Sequence, residues 1–143
     1  MENVVKTYVV AYVVTLVVFV AIDFTWLSSM TNRLYRPVLA EMLASDFRLV
    51  PAVAFYMFYA LGLTVLAVRP GLIGASTQTA VVCGAILGFT AYATYDLTNQ
   101  ATLRNWSTFL TIADLFWGTV LSSLAAGCGQ WITVRFLGPL AHG

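Results

Sequence analysis

A chain of 143 residues that is 60% hydrophobic and 9% charged cannot cover a soluble surface, since a soluble domain carries roughly a quarter charged residues. A net charge of +1, with no basic run and no acidic tail, argues against nucleic acid as a partner. A hydrocarbon core of ~30 Å takes roughly 20 apolar residues per helix, and four such segments fit in this length. The expected fold is therefore all-α: an integral membrane four-helix bundle, up-down-up-down, forming one domain over residues 1–143.

The first span is expected over about residues 4–29. Its many valines (Val4, Val5, Val9, Val10, Val13, Val14, Val17, Val18) favour strand in a soluble protein, but the run is too long and does not alternate, so a lipid-facing helix is the better reading. Lys6 ahead of an apolar run resembles a secretory signal. The run from Tyr8 to Ile22 is long for one, however, and no small-x-small cleavage site follows, so a retained span is expected.

Residues 31–48 leave room for a short interfacial helix between spans one and two. Pro37 suits a helix start, and Leu34, Val38, Leu39, Met42 and Leu43 share a face apart from Arg36, Glu41 and Ser45. The second span, about 49–68, lies between Arg48 and Arg69 and is expected to stop at Pro70-Gly71. The third covers about 77–97. A polar turn over 98–105 leads to the fourth, about 107–134, with Ser107 or Thr108 as its N-cap and Gly138-Pro139 closing it. Lys6, Arg69 and Arg135 fall on one side and Arg33, Arg36, Arg48 and Arg104 on the other, a balance that leaves the positive-inside rule undecided. Cytoplasmic termini are expected from the habit of even-span bacterial proteins.

Asp23 and Trp26 form D-x-x-W in the first span, and Asp114 and Trp117 repeat it in the fourth. Tyr56 and Tyr59 form Y-x-x-Y in the second, and Tyr92 and Tyr95, followed by Asp96, repeat it in the third. The order is a mirror rather than a tandem repeat. Counted from Arg33, Arg48 and Arg104, which an up-down-up-down bundle puts on one membrane face, these groups sit at a similar depth of ~12–15 Å. Ala80, Gly84, Gly88, Tyr92 and Asp96 step by four along the third span, as do Asp114, Gly118, Ser122, Ala126 and Gln130 along the fourth. Small residues at that spacing let membrane helices approach closely, which would bring Asp96 near Asp114.

Carboxylates at membrane depth are costly and mark functional sites or helix clamps, and three in one cramped place cannot all carry charge cheaply. The candidate ligand-binding residues are Asp23, Trp26, Tyr56, Tyr59, Tyr92, Tyr95, Asp96, Asn99, Asp114 and Trp117. Tyrosine hydroxyls would donate to the carboxylates, and Arg48 or Arg104 would reach in by snorkelling. The sole histidine, His142, stands in the tail, so His-ligated haem, His-rich di-iron and zinc sites lack their ligands, and no nucleotide-binding loop occurs. Cofactor and metal are otherwise unknown from the sequence. Cys83 and Cys128 read as small buried apolar groups.

Asp23-x-x-Trp26, F-Y-M-F-Y-A-L-G-L from Phe55, Val68-Arg69-Pro70, A-Y-A-T-Y-D-L-T-N from Ala91, A-T-L from Ala101 and D-L-F-W-G-T-V-L from Asp114 together resemble a family of small bacterial membrane proteins, domain of unknown function 2177. The resemblance implies four spans in a bacterial inner membrane and no particular activity.

The first functional expectation is a non-enzymatic inner-membrane protein whose acidic and aromatic pocket binds, or moves by proton exchange, a small amphipathic or cationic molecule. The alternatives are a lipid-modifying enzyme or enzyme partner using a divalent ion bound by Asp23, Asp96, Asp114 and Asn99, and a structural subunit whose aspartates only clamp helices. The lipid bilayer is the expected partner, nucleic acid is not, and a homo-oligomer is left open.

Overall fold

The computed structural model describes residues 2–39 and 48–140. Among these residues four helices are long and apolar enough to cross a membrane: α1 (Glu2–Leu39), α2 (Leu49–Ile73), α3 (Thr77–Thr102) and α4 (Thr108–Leu137). No strand occurs among the described residues. The protein is an all-α membrane bundle.

Two helices run past the stops expected for them. α1 does not end near Ser29 but widens into a π turn over Thr31–Tyr35 and continues as α-helix through Arg36–Leu39. α2 does the same over Thr64–Val68 and continues through Arg69–Ile73, beyond Pro70-Gly71. Each wide turn is followed by Arg-Pro. The N–H of Arg36 reaches back to Thr31 O and that of Arg69 to Thr64 O. Proline has no N–H and its ring crowds the carbonyl four residues back, so a locally widened helix accommodates it where a regular one would break. Pro37 thus lies inside a continuing helix, and the rest of the expected interfacial segment, 40–47, lies outside the described residues.

Hydroxyls that look like loop signals are absorbed by the helices. Thr25, Ser28, Ser29 and Thr31 donate to carbonyls one turn back (2.5–2.9 Å), so this polar stretch stays helical. Thr94 and Thr102 donate to Thr90 O and Thr98 O at 2.8 Å, and Thr98 donates to Thr94 O. α3 therefore reaches Thr102, and the expected polar turn shortens to the stretch before Ser107. Ser107 caps α4 by accepting the Leu110 N–H at 3.3 Å, and Gly138, at φ 79°, ends it by donating to Val134 O at 2.8 Å.

Cross-chain contacts fix the directions. Thr77 pairs with Gln130 on α4, while Tyr92 lies against Gly118, so α3 and α4 are antiparallel. Thr15 lies against Gly129 and Asp23 against Trp117, so α1 and α4 are antiparallel too. Tyr59 meets Ser122 and Gly71 meets Gln130, which makes α2 parallel to α4. This is the up-down-up-down order, with α4 touching all three others.

Three stripes step by four residues: the buried Thr7, Ala11, Thr15, Phe19 and Asp23 on α1; Ala80, Gly84, Gly88, the half-buried Tyr92 and Asp96 on α3; the buried Asp114, Gly118, Ser122, Ala126 and Gln130 on α4. Each stripe terminates in an aspartate, and the antiparallel order puts all three at one end of the bundle. α3 and α4 are the most intimately packed pair. A Cβ added at Gly88 would run into the Gly118 carbonyl oxygen and the Ser122 side chain. Because a backbone oxygen cannot yield, Gly88→Val is expected to destabilise the protein by at least the ~1–3 kcal/mol typical of overpacking, read as a lower thermal unfolding midpoint in detergent. Gly62→Ala, with nothing within 4 Å, should leave it unchanged. An unaltered midpoint for Gly88→Val would refute the close α3–α4 approach.

Candidate functional site

The two D-x-x-W motifs face each other across the antiparallel α1–α4 pair and exchange partners. Asp23 of α1 accepts from Trp117 Nε1 of α4 (3.2 Å, to Oδ1) and from Tyr56 OH of α2 (2.8 Å, to Oδ2). Trp26 of α1 donates from Nε1 to Tyr35 OH (3.1 Å), and Tyr35 OH donates to Asp114 Oδ1 of α4 (2.6 Å). Between these two limbs the Trp26 and Trp117 rings stack at 4.3 Å and 9°. The result is one continuous chain: Tyr56, Asp23, Trp117, Trp26, Tyr35, Asp114.

Both carboxylates are buried and every donor named to them is neutral. A phenol or indole gives a carboxylate a directed bond without adding a second charge to desolvate, and O–H···O⁻ bonds of this length are among the stronger ones. Arg48 and Arg104, expected to snorkel inward, are exposed. The stacked indoles add ~0.5–1.5 kcal/mol beyond their burial, and they fix each other's plane.

Below this network lies an aromatic floor. Phe19, one turn from Asp23 and fully buried, packs against Tyr59 (5.0 Å), Tyr56 (6.0 Å) and Phe55 (6.2 Å). Tyr59 bonds Ser122 Oγ at 2.9 Å, on the stripe that Gly88 touches, so it locks α2, α3 and α4 together one layer deeper. Tyr92 lays its ring on Gly118, half-buried at the α3–α4 seam.

Asp96 differs from the other two. It is fully buried on the α3 stripe, within electrostatic reach of Asp114, yet neither of its oxygens has a hydrogen-bond partner among the described residues. Asn99, one turn further on, is half-buried. Tyr95 is 58% exposed and turns its ring edge-on to Trp106, so it stands outside the cluster. Of the ten candidates, Asp23, Trp26, Tyr56, Asp114 and Trp117 share one bonded network. Tyr59 and Tyr92 border it, Asp96 is buried beside it, Asn99 stands half-buried one turn beyond Asp96, and Tyr95 is not brought to it. Among the described residues no three His, Cys, Asp or Glu side chains are placed to hold one metal ion.

Tyr35 is the residue sequence reasoning missed. On a regular helix at about 100° per residue it would lie opposite Trp26, and the expected end of the first span put it in a surface segment. The π turn over Thr31–Tyr35 alters that phase and brings its hydroxyl between Trp26 and Asp114. The Arg-Pro pair that follows was the available signal.

A buried, hydrogen-bonded aspartate network joining apolar spans defines a class: multi-pass membrane proteins with a polar site enclosed in the bundle. The chain belongs to the family described as a predicted membrane protein, DUF2177, which matches residues 8–131. No curated protein and no solved structure matches it.

The two kinds of aspartate should separate on substitution. Asp23→Leu strands the Tyr56 and Trp117 donors and Asp114→Leu strands Tyr35, so each is expected to destabilise the protein by ~1–3 kcal/mol. Asp96→Leu removes a group with no partner among the described residues and should leave the unfolding midpoint equal or higher. Equal losses at all three positions in a thermal melt would refute the distinction.

Proposed function

We propose that this is a multi-pass protein of a bacterial inner membrane, termini in the cytoplasm, that binds a small amphipathic or cationic molecule at Asp96 and exchanges it for a proton. The observation that carries the reading is the fully buried carboxyl of Asp96, which has no hydrogen-bond partner among the described residues. A clamp role accounts for Asp23 and Asp114, whose oxygens take donors from other helices. It does not account for Asp96. A buried carboxyl with no donor and no counter-charge among the described residues is tolerable when its charge is cancelled by a proton or by a bound cation, and those two states compete for one place.

In this reading the Tyr56–Asp23–Trp117 and Trp26–Tyr35–Asp114 limbs are the fixed frame, and Tyr92 and Asn99 flank the exchanging group. A cleft of about 380 Å³ between α1 and α4, lined by Ile22, Thr25, Trp26, Ser29, Met30 and Trp117 and not by Asp96 itself, is the place this reading gives to the apolar part of a ligand. It opens beside the indole pair, whose π faces suit a cation or a flat ring. The family resemblance supports the bacterial inner membrane, and the even number of spans supports termini on one side.

The reading predicts that detergent-solubilised protein in weak buffer releases up to one proton per tetraphenylphosphonium bound, followed with a pH electrode and equilibrium dialysis. Because proton and cation compete, affinity should rise with pH, by at most about tenfold per unit. Asp96→Asn should abolish the proton release and flatten that dependence. Cation binding with no proton release, or an Asp96→Asn variant that behaves as the parent, would overturn the proposal.

A further inference from the structure

The half of the bundle nearest the chain termini carries a second feature that the acidic network does not use. Val5, Tyr8, Val9 and Tyr12 of α1 and Leu61, Thr64, Val65 and Arg69 of α2 enclose a groove of about 570 Å³. Its rims, Val5, Val9, Leu61 and Val65, are all exposed, so it opens sideways to whatever surrounds the helices. Toward the middle of the bundle the groove is closed by Tyr12, whose hydroxyl donates to Met57 O at 3.3 Å and so ties α1 to α2. At the opposite end stands the exposed guanidinium of Arg69, one residue past the π turn that supplies Thr64 and Val65 to the wall.

We propose that this groove holds an acyl chain of an anionic phospholipid, with the lipid phosphate on Arg69. Length and charge both favour that occupant. From Leu61 to Arg69 the wall rises eight residues, or ~12 Å, against ~15 Å for one leaflet's half of the hydrocarbon core. The walls are aliphatic and aromatic through that depth, and the one charged side chain among the lining residues sits where a headgroup would be. Among the described residues no carboxylate lines the groove to neutralise it. Thr64 is not free to compete for the headgroup, because its hydroxyl is spent on Ala60 O at 2.7 Å. Arg presents a planar fork that matches phosphate oxygens, and basic pockets between helices select anionic headgroups for that reason. A zwitterionic lipid offers the same chains and phosphate but brings its own cation to the site.

The site stands apart from the aspartate network, on the other side of the Phe19 layer, so its test is independent of the exchange reading. Purified protein is equilibrated with a mixture of phosphatidylglycerol and phosphatidylcholine of matched chains, and retained lipid is counted by native mass spectrometry. Phosphatidylglycerol should be retained about fivefold over phosphatidylcholine, the preference that one arginine near a surface gives. Arg69→Gln should bring the ratio to unity. Arg135→Gln, which removes a charge at the same end of the bundle on α4, should leave it intact. Val65→Trp, at an exposed position that fills the groove, should reduce retention of both lipids without lowering the unfolding midpoint. Equal retention of the two lipids by the parent, an unchanged ratio in Arg69→Gln, or an equal loss in Arg135→Gln would overturn the proposal. A chain that dimerises through this face, with Val65→Trp dissociating the dimer, would overturn it as well.

Discussion

The carboxylate of Asp23 is where three helices meet. It lies on α1, accepts a phenol from α2 and an indole N–H from α4, and rests one turn above the buried ring of Phe19. A polar group withdrawn from water has to find its partners inside the protein, and here the partners come from different helices. That requirement sets the register of α1 against α4, because only one alignment puts Asp23 opposite Trp117 while Trp26 reaches Asp114 through Tyr35. The stacking of the two indoles then follows from the same alignment, and the motif pair acts as a two-sided key.

Against that frame, the α3–α4 seam is held by contact rather than by polar bonds. Gly84 and Gly88 admit the α4 backbone, and Gly118 admits the Tyr92 ring. Such closeness seals Asp96 from solvent, and no described residue offers it a donor. The three aspartates therefore share an end of the bundle but not a role: two are tied into the fold, and one is enclosed by it. At the other end Gln130 does the tying, accepting from Thr77 at 2.6 Å and donating to Gly71 O at 3.3 Å. The polar clamp there is neutral and fully used, which sharpens the contrast with Asp96.

Backbone devices place these groups. The wide turns ahead of Arg36-Pro37 and Arg69-Pro70 let two helices pass a proline, and each also shifts the faces that follow. One of them delivers Tyr35 to the acidic network. The other lines the lateral groove and carries Arg69 to its end. Irregular helical turns of this kind tend to occur where a side chain has to be re-aimed, and both instances here do that.

Much of this was legible from residue types and spacing alone. Apolar run lengths determined four helices and their up-down order, and the small-residue steps on α3 and α4 determined which faces pack, since close approach depends only on which side chains are missing. That Asp23, Asp96 and Asp114 fall at one end of the bundle also followed, because rise per residue is nearly constant. Phase and partner did not follow. Whether an aspartate meets a donor depends on rotations accumulated along a helix, and a single π turn moved Tyr35 into the site, while Tyr95, next to the buried Asp96, faced out toward Trp106. Helix ends were misplaced where threonine and serine hydroxyls bond to their own helix instead of to water. The composition and periodicity of this chain decided its architecture; only the packed tertiary structure decided which carboxylates are satisfied, because hydrogen bonds are short and directional where burial is not.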